Sequence, residues 1–563
     1  MRGQGKGFAL PGRATSLWRA ASRFRSETRG SLAVLGLLLL VMMVMMGGIA
    51  VDLMRYESTR TSLQNTLDRS TLAAASLTNQ VDPAAVVNDY FLKAGLANYL
   101  TGVEVDQGAN YRSVTADARA DSQPLFLHMM GIESFIANGH SRAEQRIDNV
   151  EIILALDISG SMSGAKIANL ITSANDFVNT VLNSDPDQHI SIGIVPYNAQ
   201  VNLPPELLAE FTVNHPNGVD NDNCLELPPS VFTTSGLDLS TGYSEMAFAD
   251  TTSSTTQSTS YVSTTSGAPN FSSAYCRRGT MNQILLPTKD MAVLHAKINA
   301  LTAGGNTSIM YGMRWALELL DPSVREMYRN LIAGGYMNAN LDGHPFDYTN
   351  TETLKVIIMM TDGEHTRHEM IDDAYKDGPS PIYKSTGDGY YSIRHTSGRP
   401  VSAGTNEYWV PHLCVSTNCK AGTDTSEAWR ATPYDSGGGA VQLDWKDVWA
   451  TFRDSYVAWQ FYARALGTSS STRSSNYTAA INAFENLYAP TTTMDSQLQE
   501  VCSQAKTNSV VVYGIAFEAP ANGQAQIRAC STSDAHYFDA TTMTIGTAFK
   551  AIANNISQLR LTQ

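Results

Sequence analysis

No two of the six cysteines in these 563 residues are spaced as CxxC, which removes the usual signatures of zinc ribbons and thioredoxin-like redox centres. The glycine-rich stretch GGNTS lacks the lysine of a phosphate-binding Walker loop, and no glycine pattern of dinucleotide type occurs. No serine stands in G-x-S-x-G, and the H-E-x-x-H order of metalloproteases is missing. Basic charge is scarce after the first thirty residues. That segment carries Arg2, Lys6, Arg13, Arg19, Arg23, Arg25 and Arg29 against Glu27 alone, about +6, in a chain of net charge −14, so the remainder stands near −20. An acidic body of this kind does not neutralise phosphates, and nucleic acid is excluded as a partner.

Long apolar runs are missing too, with one exception. Ser31 to Val51, SLAVLGLLLLVMMVMMGGIAV, holds 21 residues without a charge. As a helix rising about 1.5 Å per residue it spans the roughly 30 Å hydrocarbon core of a bilayer. The basic arm before it and Asp52 after it place the N-terminus in the cytoplasm and the bulk outside, by the positive-inside rule. A cleaved signal peptide ending at Gly48-Ile49-Ala50 is the competing reading, but signal cores run to only about 7–15 apolar residues. The expected organisation is a cytoplasmic arm (1–30), a transmembrane helix (31–51), a membrane-proximal helix with a small α+β body (52–147), and a larger domain (148–563).

All six cysteines, Cys224, Cys276, Cys414, Cys419, Cys502 and Cys530, follow the apolar run. In an exported region an even number suggests disulfides, although six cysteines allow many connectivities. Pairing in sequence order, 224 with 276, 414 with 419 and 502 with 530, closes a local loop each time.

Residues 51–77 contain neither glycine nor proline and read as a continuing helix. Positions 53, 56, 60, 63, 67, 70, 74 and 77 form a mostly apolar seam, for a partner helix or for the protein's own small domain. Beyond 148 the pattern alternates. VEIILALD, HISIGIVPY, LKVIIMMTD and SVVVYGIAF are continuous apolar strands, separated by helical stretches over 165–182, 289–301, 309–320 and 494–506. Buried strands between helices imply a mostly parallel sheet covered on both faces. Two insertions interrupt it: 203–286, with the polar tract TTSSTTQSTSYVSTTSG expected on the surface, and 364–450, rich in Tyr, Trp, Gly and Ser.

In such sheets ligands gather at the carboxyl ends of the strands. Asp157 ends VEIILALD there, with Ser159 and Ser161 at alternating positions of the following loop, so three oxygens can converge. Thr307 lies in a glycine-rich loop before a helix, and Asp362 ends LKVIIMMTD. Carboxylates with neutral hydroxyls are hard oxygen donors suited to Mg²⁺, with Mn²⁺ or Ca²⁺ as substitutes.

DISGSMSG, GGNTSI and MMTDG, in this order, resemble a von Willebrand factor type A domain with its metal-ion-dependent adhesion site. The resemblance implies a doubly wound, Rossmann-like α/β fold. It implies Asp157, Ser159, Ser161, Thr307 and Asp362 as ligand positions, some acting through water, with a partner's Asp or Glu completing the shell. Asn306 separates the two glycines from Thr307, a departure that makes Ser308 the nearest substitute ligand. The stretch from Gly48 to Leu77 resembles the membrane-proximal helix of TadG-like proteins of the Flp (tight adherence) pilus assembly system, and the C-terminal segment around Cys502 and Cys530 is similar to the tail of such proteins. That likeness implies a bacterial inner-membrane, periplasm- or surface-facing role, pilus-assembly or minor pilin-like partners, and pairing of Cys502 with Cys530. Prepilin-type cleavage wants a Glu five residues after a glycine, where Leu35 stands after Gly30. A non-enzymatic role is expected, either binding of a partner carboxylate at the metal edge or, alternatively, purely structural assembly and anchoring with a non-adhesive domain. A metal-dependent hydrolase would need a base from Glu364, His365, His368 or Glu369, a stretch that otherwise reads as a solvated helix start.

Overall fold

The computed structural model describes residues 30–76, 81–107, 111–146, 149–186, 188–234, 236–247, 275–414 and 428–558. The chain divides into two compact units near residue 146.

The first unit is built on one helix, α1 (Gly30–Ala75), followed by α2 (Pro83–Lys93) and a three-stranded sheet of β1 (Leu100–Gln107), β2 (Tyr111–Ser122) and β3 (Phe135–Arg146). Among the described residues α1 alone is long and apolar enough to cross a membrane. Its later turns change partner. Leu63, Leu67 and Ala74 are buried with Val87 and Phe91 of α2 and with Val114, Ala116 and Ala137 of the sheet. Ser70 is buried on the same stripe, whereas Leu53 and Arg60 are exposed and Leu77 lies outside the described residues. From Leu63 to Ala74 the seam therefore serves its own domain, because the small sheet needs a helix to cover one face.

The second unit carries the large sheet. Its strands are β4 (Asn149–Asp157), β5 (Ile190–Tyr197), β6 (Leu285–Thr288), β7 (Thr353–Thr361), β8 (Val511–Phe517) and β9 (Tyr537–Ala540). They lie in the order β9-β8-β7-β4-β5-β6, all parallel except the antiparallel edge strand β6. Numbered along the chain this is 6-5-4-1-2-3, the doubly wound arrangement expected, with its switch point between β4 and β7. Side chains alternate between two cores. Ile152, Leu154, Leu156, Ile358 and Met360 pack beneath α3 (Ala165–Asn183), α4 (Met291–Ala300) and α8 (Ile545–Gln558), while Ile153, Ala155, Ile357 and Met359 face α5 (Ile309–Glu318), α6 (Thr491–Thr507) and α7 (Ala521–Cys530). Burial on both faces explains why these strands read as unbroken apolar runs.

The insertions contribute more than loops. In the first, Leu203, Leu207, Phe211, Leu225, Phe232 and Tyr243 join the core under α5, and Cys224–Cys276 links its middle to its C-terminal part. The tract TTSSTTQSTSYVSTTSG lies outside the described residues. The second insertion builds its own body: short antiparallel strands over 379–385, 391–394, 408–409, 429–430 and 440–444, with helices between 445 and 484. Trp445, Trp449, Phe452, Tyr456, Phe461 and Phe484 share one core with Ile382, Tyr391 and Ile393. The break expected at 450 thus moves: the strand at 485–489 pairs with 368–371 and closes the inserted body. The stretch expected to start a helix after Glu364 is a loop followed by that strand, His368–Ile371. Aromatic burial decides the first point, since Trp and Tyr separated by Gly and Ser carry no clear period, and pairing with a strand more than a hundred residues away decides the second.

Cys502 pairs with Cys530 inside the core beneath α6 and α7, and Cys419 lies outside the described residues with the pairing expected for it. Replacing Cys502 and Cys530 together by Ser should cost roughly 3–4 kcal/mol of stability, the chain-entropy value for a loop of this size. Urea unfolding followed by tryptophan fluorescence would measure the loss.

Candidate metal centre

Strand register brings the two aspartates together. In the parallel pair, Leu156 of β4 stands opposite Met360 of β7, so Asp157 and Asp362 leave the sheet at the same edge of the switch point. Both are buried, at 0% and 3% exposure. Asp157 Oδ1 accepts the Ser159 N–H at 2.7 Å and its Oδ2 accepts the Thr361 hydroxyl at 2.6 Å. Ser161 Oγ donates to Asp362 Oδ1 at 2.6 Å and lies 3.0 Å from Ser159 Oγ. The extended loop expected after Asp157 is instead a single 3-10 turn, Gly160–Met162, entered from an extended Ser159, and it is this turn that folds the Ser161 hydroxyl back beside Ser159 and onto Asp362.

The loop before α5 closes the cluster from the neighbouring element. Gly304 N–H donates to Ile158 O and Gly160 N–H to Gly305 O, both at 2.8 Å, so the two loops are bonded backbone to backbone. A Cβ on Gly160 would stand 3.2 Å from the Gly305 carbonyl, which is why a residue without a side chain occupies that point. Thr307 is buried, and its Oγ1 lies 3.3 Å from where a Cβ of Gly363 would be, beside Asp362. Ser308 N–H is held by Asn198 O, while its hydroxyl is buried without a hydrogen-bond partner. All five expected positions therefore meet at one edge, with Thr307 against the Asp362 loop and Ser308 beside it.

Two buried carboxylates so near each other repel. Burial first, and the charge of Asp362 second, push the Asp157 carboxyl up from 3.8 to about 6. One side chain that the motif did not reveal answers this charge. Lys166, in the first turn of α3, donates to Asp362 Oδ2 at 2.7 Å and reaches within 3.8 Å of Glu518, above the Phe517 ring. Its signal in the sequence was only its place, five residues after Ser161 on the helix that the loop feeds.

Three of the four residues considered for hydrolysis are engaged elsewhere. His365 is buried, its Nε2 accepting the Met310 N–H at 3.0 Å and its Nδ1 2.7 Å from Asp495 Oδ1, so it pins the Asp362 loop to the start of α5. His368 is enclosed by Tyr275, Tyr311 and Tyr488, and burial drives its pKa down to about 3, leaving it neutral. Glu369 accepts the Tyr275 hydroxyl at 3.0 Å and contacts Arg367, and Glu364 is exposed.

Residues 30–77 match the family model described as "Putative Flp pilus-assembly TadE/G-like", the family that the membrane-proximal helix resembled. No curated protein matches the chain. Among solved structures, the von Willebrand factor domain of the type V pili tip protein Mfa5 from Porphyromonas gingivalis is similar at 14% identity, over 74% of this chain and 98% of that one, with a TM-score of 0.29. The pilus adhesin SpaC from Lactobacillus rhamnosus GG is 12% identical over 81% of this chain but only 33% of its own length, with a TM-score of 0.28. Proximal thread matrix protein 1 from the mussel byssus, in a form with a zinc-occupied MIDAS motif, is 11% identical over 73% of this chain and 48% of that one, with a TM-score of 0.26. Likeness at this level says nothing of ligand or activity.

Lys166 supplies a counter-charge to Asp362 from within the chain. Lys166→Met should lower the melting temperature in chelator, at a cost of about 1–3 kcal/mol, and Lys166→Arg should recover most of it. A Lys166→Met protein as stable as the parent would remove the lysine from this role.

Proposed function

We propose that this chain is a membrane-anchored, periplasm- or surface-facing component of a bacterial Flp (tight adherence) pilus system, and that the edge holding Asp157 and Asp362 binds a divalent cation and, through it, a carboxylate of a partner protein. The observation that carries the reading is the meeting of two buried carboxylates with the hydroxyls of Ser159, Ser161 and Thr307 at the switch point of the sheet. The family match over 30–77 supports the pilus context. The uninterrupted α1, running from the apolar segment into the folded first unit, supports a retained anchor over a cleaved signal.

The donor set fits Mg²⁺, with Mn²⁺ or Ca²⁺ as substitutes, because it is all oxygen and mostly neutral. Asp157, Ser159, Ser161, Thr307 and Asp362 would hold the ion, some through water. Two carboxylates leave a doubly charged ion open to a third, which is the chemistry it supplies: a coordination position that an Asp or Glu from another pilus protein or an adhesive target completes. Lys166 then releases or shares Asp362, with Glu518 within reach as its next partner. The inserted segments 203–286 and 364–489 offer the variable surface that selects the partner. The family context and the structural engagement of His365 and His368 favour binding over turnover.

The Lys166–Asp362 pair also favours a second reading, in which the chain provides its own cation and the domain is a structural assembly module. The two part at the metal. On the adhesive reading, Mg²⁺ at 100 times its Kd stabilises the protein by about 2.7 kcal/mol, and Asp157→Ala abolishes both that gain and the Mg²⁺-dependent capture of envelope proteins while the chain still folds. Assembly without any dependence on Mg²⁺ or chelator supports the structural module.

The stabilisation should also depend on pH. Below about 6 the Asp157 carboxyl is protonated and must lose its proton to bind a cation, so the Mg²⁺-induced rise in melting temperature should be small at pH 5 and full at pH 7.5. The metal-free fold behaves oppositely. A carboxyl raised by folding withdraws stability as pH climbs from its ordinary 3.8 through 6, and Asp157→Asn should flatten that slope.

A further inference from the structure

Asp52 is the first charge after the apolar run of α1, and it is only 2% exposed. Its carboxylate accepts three backbone N–H groups, from Leu125, Phe126 and Leu127, each at 2.8 Å. One turn earlier on the same face, Gly48 is buried, and a Cβ there would stand 2.4 Å from Cγ of Phe126, so the ring lies directly on the helix backbone. Farther along, Phe135 packs 5.5 Å from Tyr56. The loop between β2 and β3 is thus clamped along α1 from Gly48 to Tyr56.

What this clamped loop shows to the outside is apolar. Leu125 is 62% exposed, Phe126 38%, Met129 85%, Met130 54% and Ile132 39%, and from Pro124 to Ile132 no residue carries a fixed charge. A cluster of exposed large apolar side chains on a small domain marks a surface that is covered in use. Its position says by what. Gly48 lies within the uncharged run that ends at Val51, and about 6 Å of helix rise separates it from Asp52. The loop is therefore continuous with the exposed apolar sides of α1, such as Met43 and Met46, at the last turn before the chain meets its first charge. That charge costs little where it sits, because three amides satisfy the carboxylate.

We propose that the 125–132 loop is a membrane wedge: Asp52 and Gly48 hold it against the exit turn of α1 so that Leu125, Phe126, Met129, Met130 and Ile132 enter the outer interfacial layer of the bilayer that α1 spans. The inference rests on the anchor reading of α1. It gives the first unit a second attachment beside the helix, which restrains the tilt and rotation of the domain on its stalk.

The test uses the full chain reconstituted at low protein-to-lipid ratio in phosphatidylethanolamine and phosphatidylglycerol vesicles. Nitroxides are attached at Met129→Cys or Ile132→Cys, and collision with O₂ is compared with collision with a water-soluble nickel chelate. Among the described residues no cysteine is free to compete for the label, and the parent chain carried through the same labelling reports any background from Cys419. Leu38→Cys, in the middle of the apolar run, and Val401→Cys, fully exposed in the second unit, serve as lipid and water references. The wedge predicts that the nitroxides at 129 and 132 report an O₂-rich environment about 5–10 Å inside the interface. A Met129 label as accessible to nickel as that at Val401, with the Leu38 label in lipid, overturns the wedge and leaves the anchor standing. A Leu38 label in water overturns the anchor, and the wedge with it. A label at 129 shielded from both reagents means that protein covers the loop, and overturns the lipid as occupant.

Discussion

Two carboxylates buried side by side at the switch point of a parallel sheet are the constraint from which the rest of this edge follows. Asp157 and Asp362 are both buried, and burial together with the neighbouring Asp362 charge raises the cost of ionising Asp157. Every group around them answers that cost: the hydroxyls of Thr361 and Ser161, the Ser159 amide, and the ammonium of Lys166. A fold that gathers this much negative charge away from solvent is organised around positive charge, whether a lysine on a hinged side chain or an ion from outside.

The elements that hold the cluster are themselves held by long-range contacts. The Asp157 and Gly305 loops are joined through backbone hydrogen bonds, and the Asp362 loop is fixed by His365, which spans from α5 to Asp495 in α6. The edge that carries the two aspartates is therefore tied down on three sides by bonds from distant parts of the chain. The second of the inserted segments has its own aromatic core and so can present its outer loops without straining the sheet beneath. At the other end of the chain, the same device appears in a different setting: the Asp52 carboxylate is buried by backbone amides, and the loop that supplies them is thereby fixed on α1.

Some of this was legible from the residues alone. Apolar runs such as VEIILALD and LKVIIMMTD, short and separated by helical stretches, read as strands buried on both faces, and each ends in an aspartate; that Asp157 and Asp362 share one site was what the family resemblance implied. The pairing of Cys502 with Cys530 was also within reach. The second insertion was not. Trp445, Trp449 and Phe484 acquire meaning as a core only when Ile382 and Ile393, tens of residues away, are folded against them. Likewise His365 read as a possible base because its engagement depends on Asp495, which no local spacing reveals.

What the sequence determined by itself is whatever periodicity and local chemistry encode: one apolar helix, a covered parallel sheet, and oxygen-bearing side chains at the carboxyl ends of its strands. Tertiary structure alone decided which neighbours those side chains have. It put Lys166 on Asp362, turned His368 into a buried neutral ring, and pressed the 125–132 loop onto the exit turn of α1. The physical reason is range. Strand and helix patterns are written in steps of two to four residues, whereas burial and charge pairing join groups from anywhere in the chain, and only the folded packing states which groups those are.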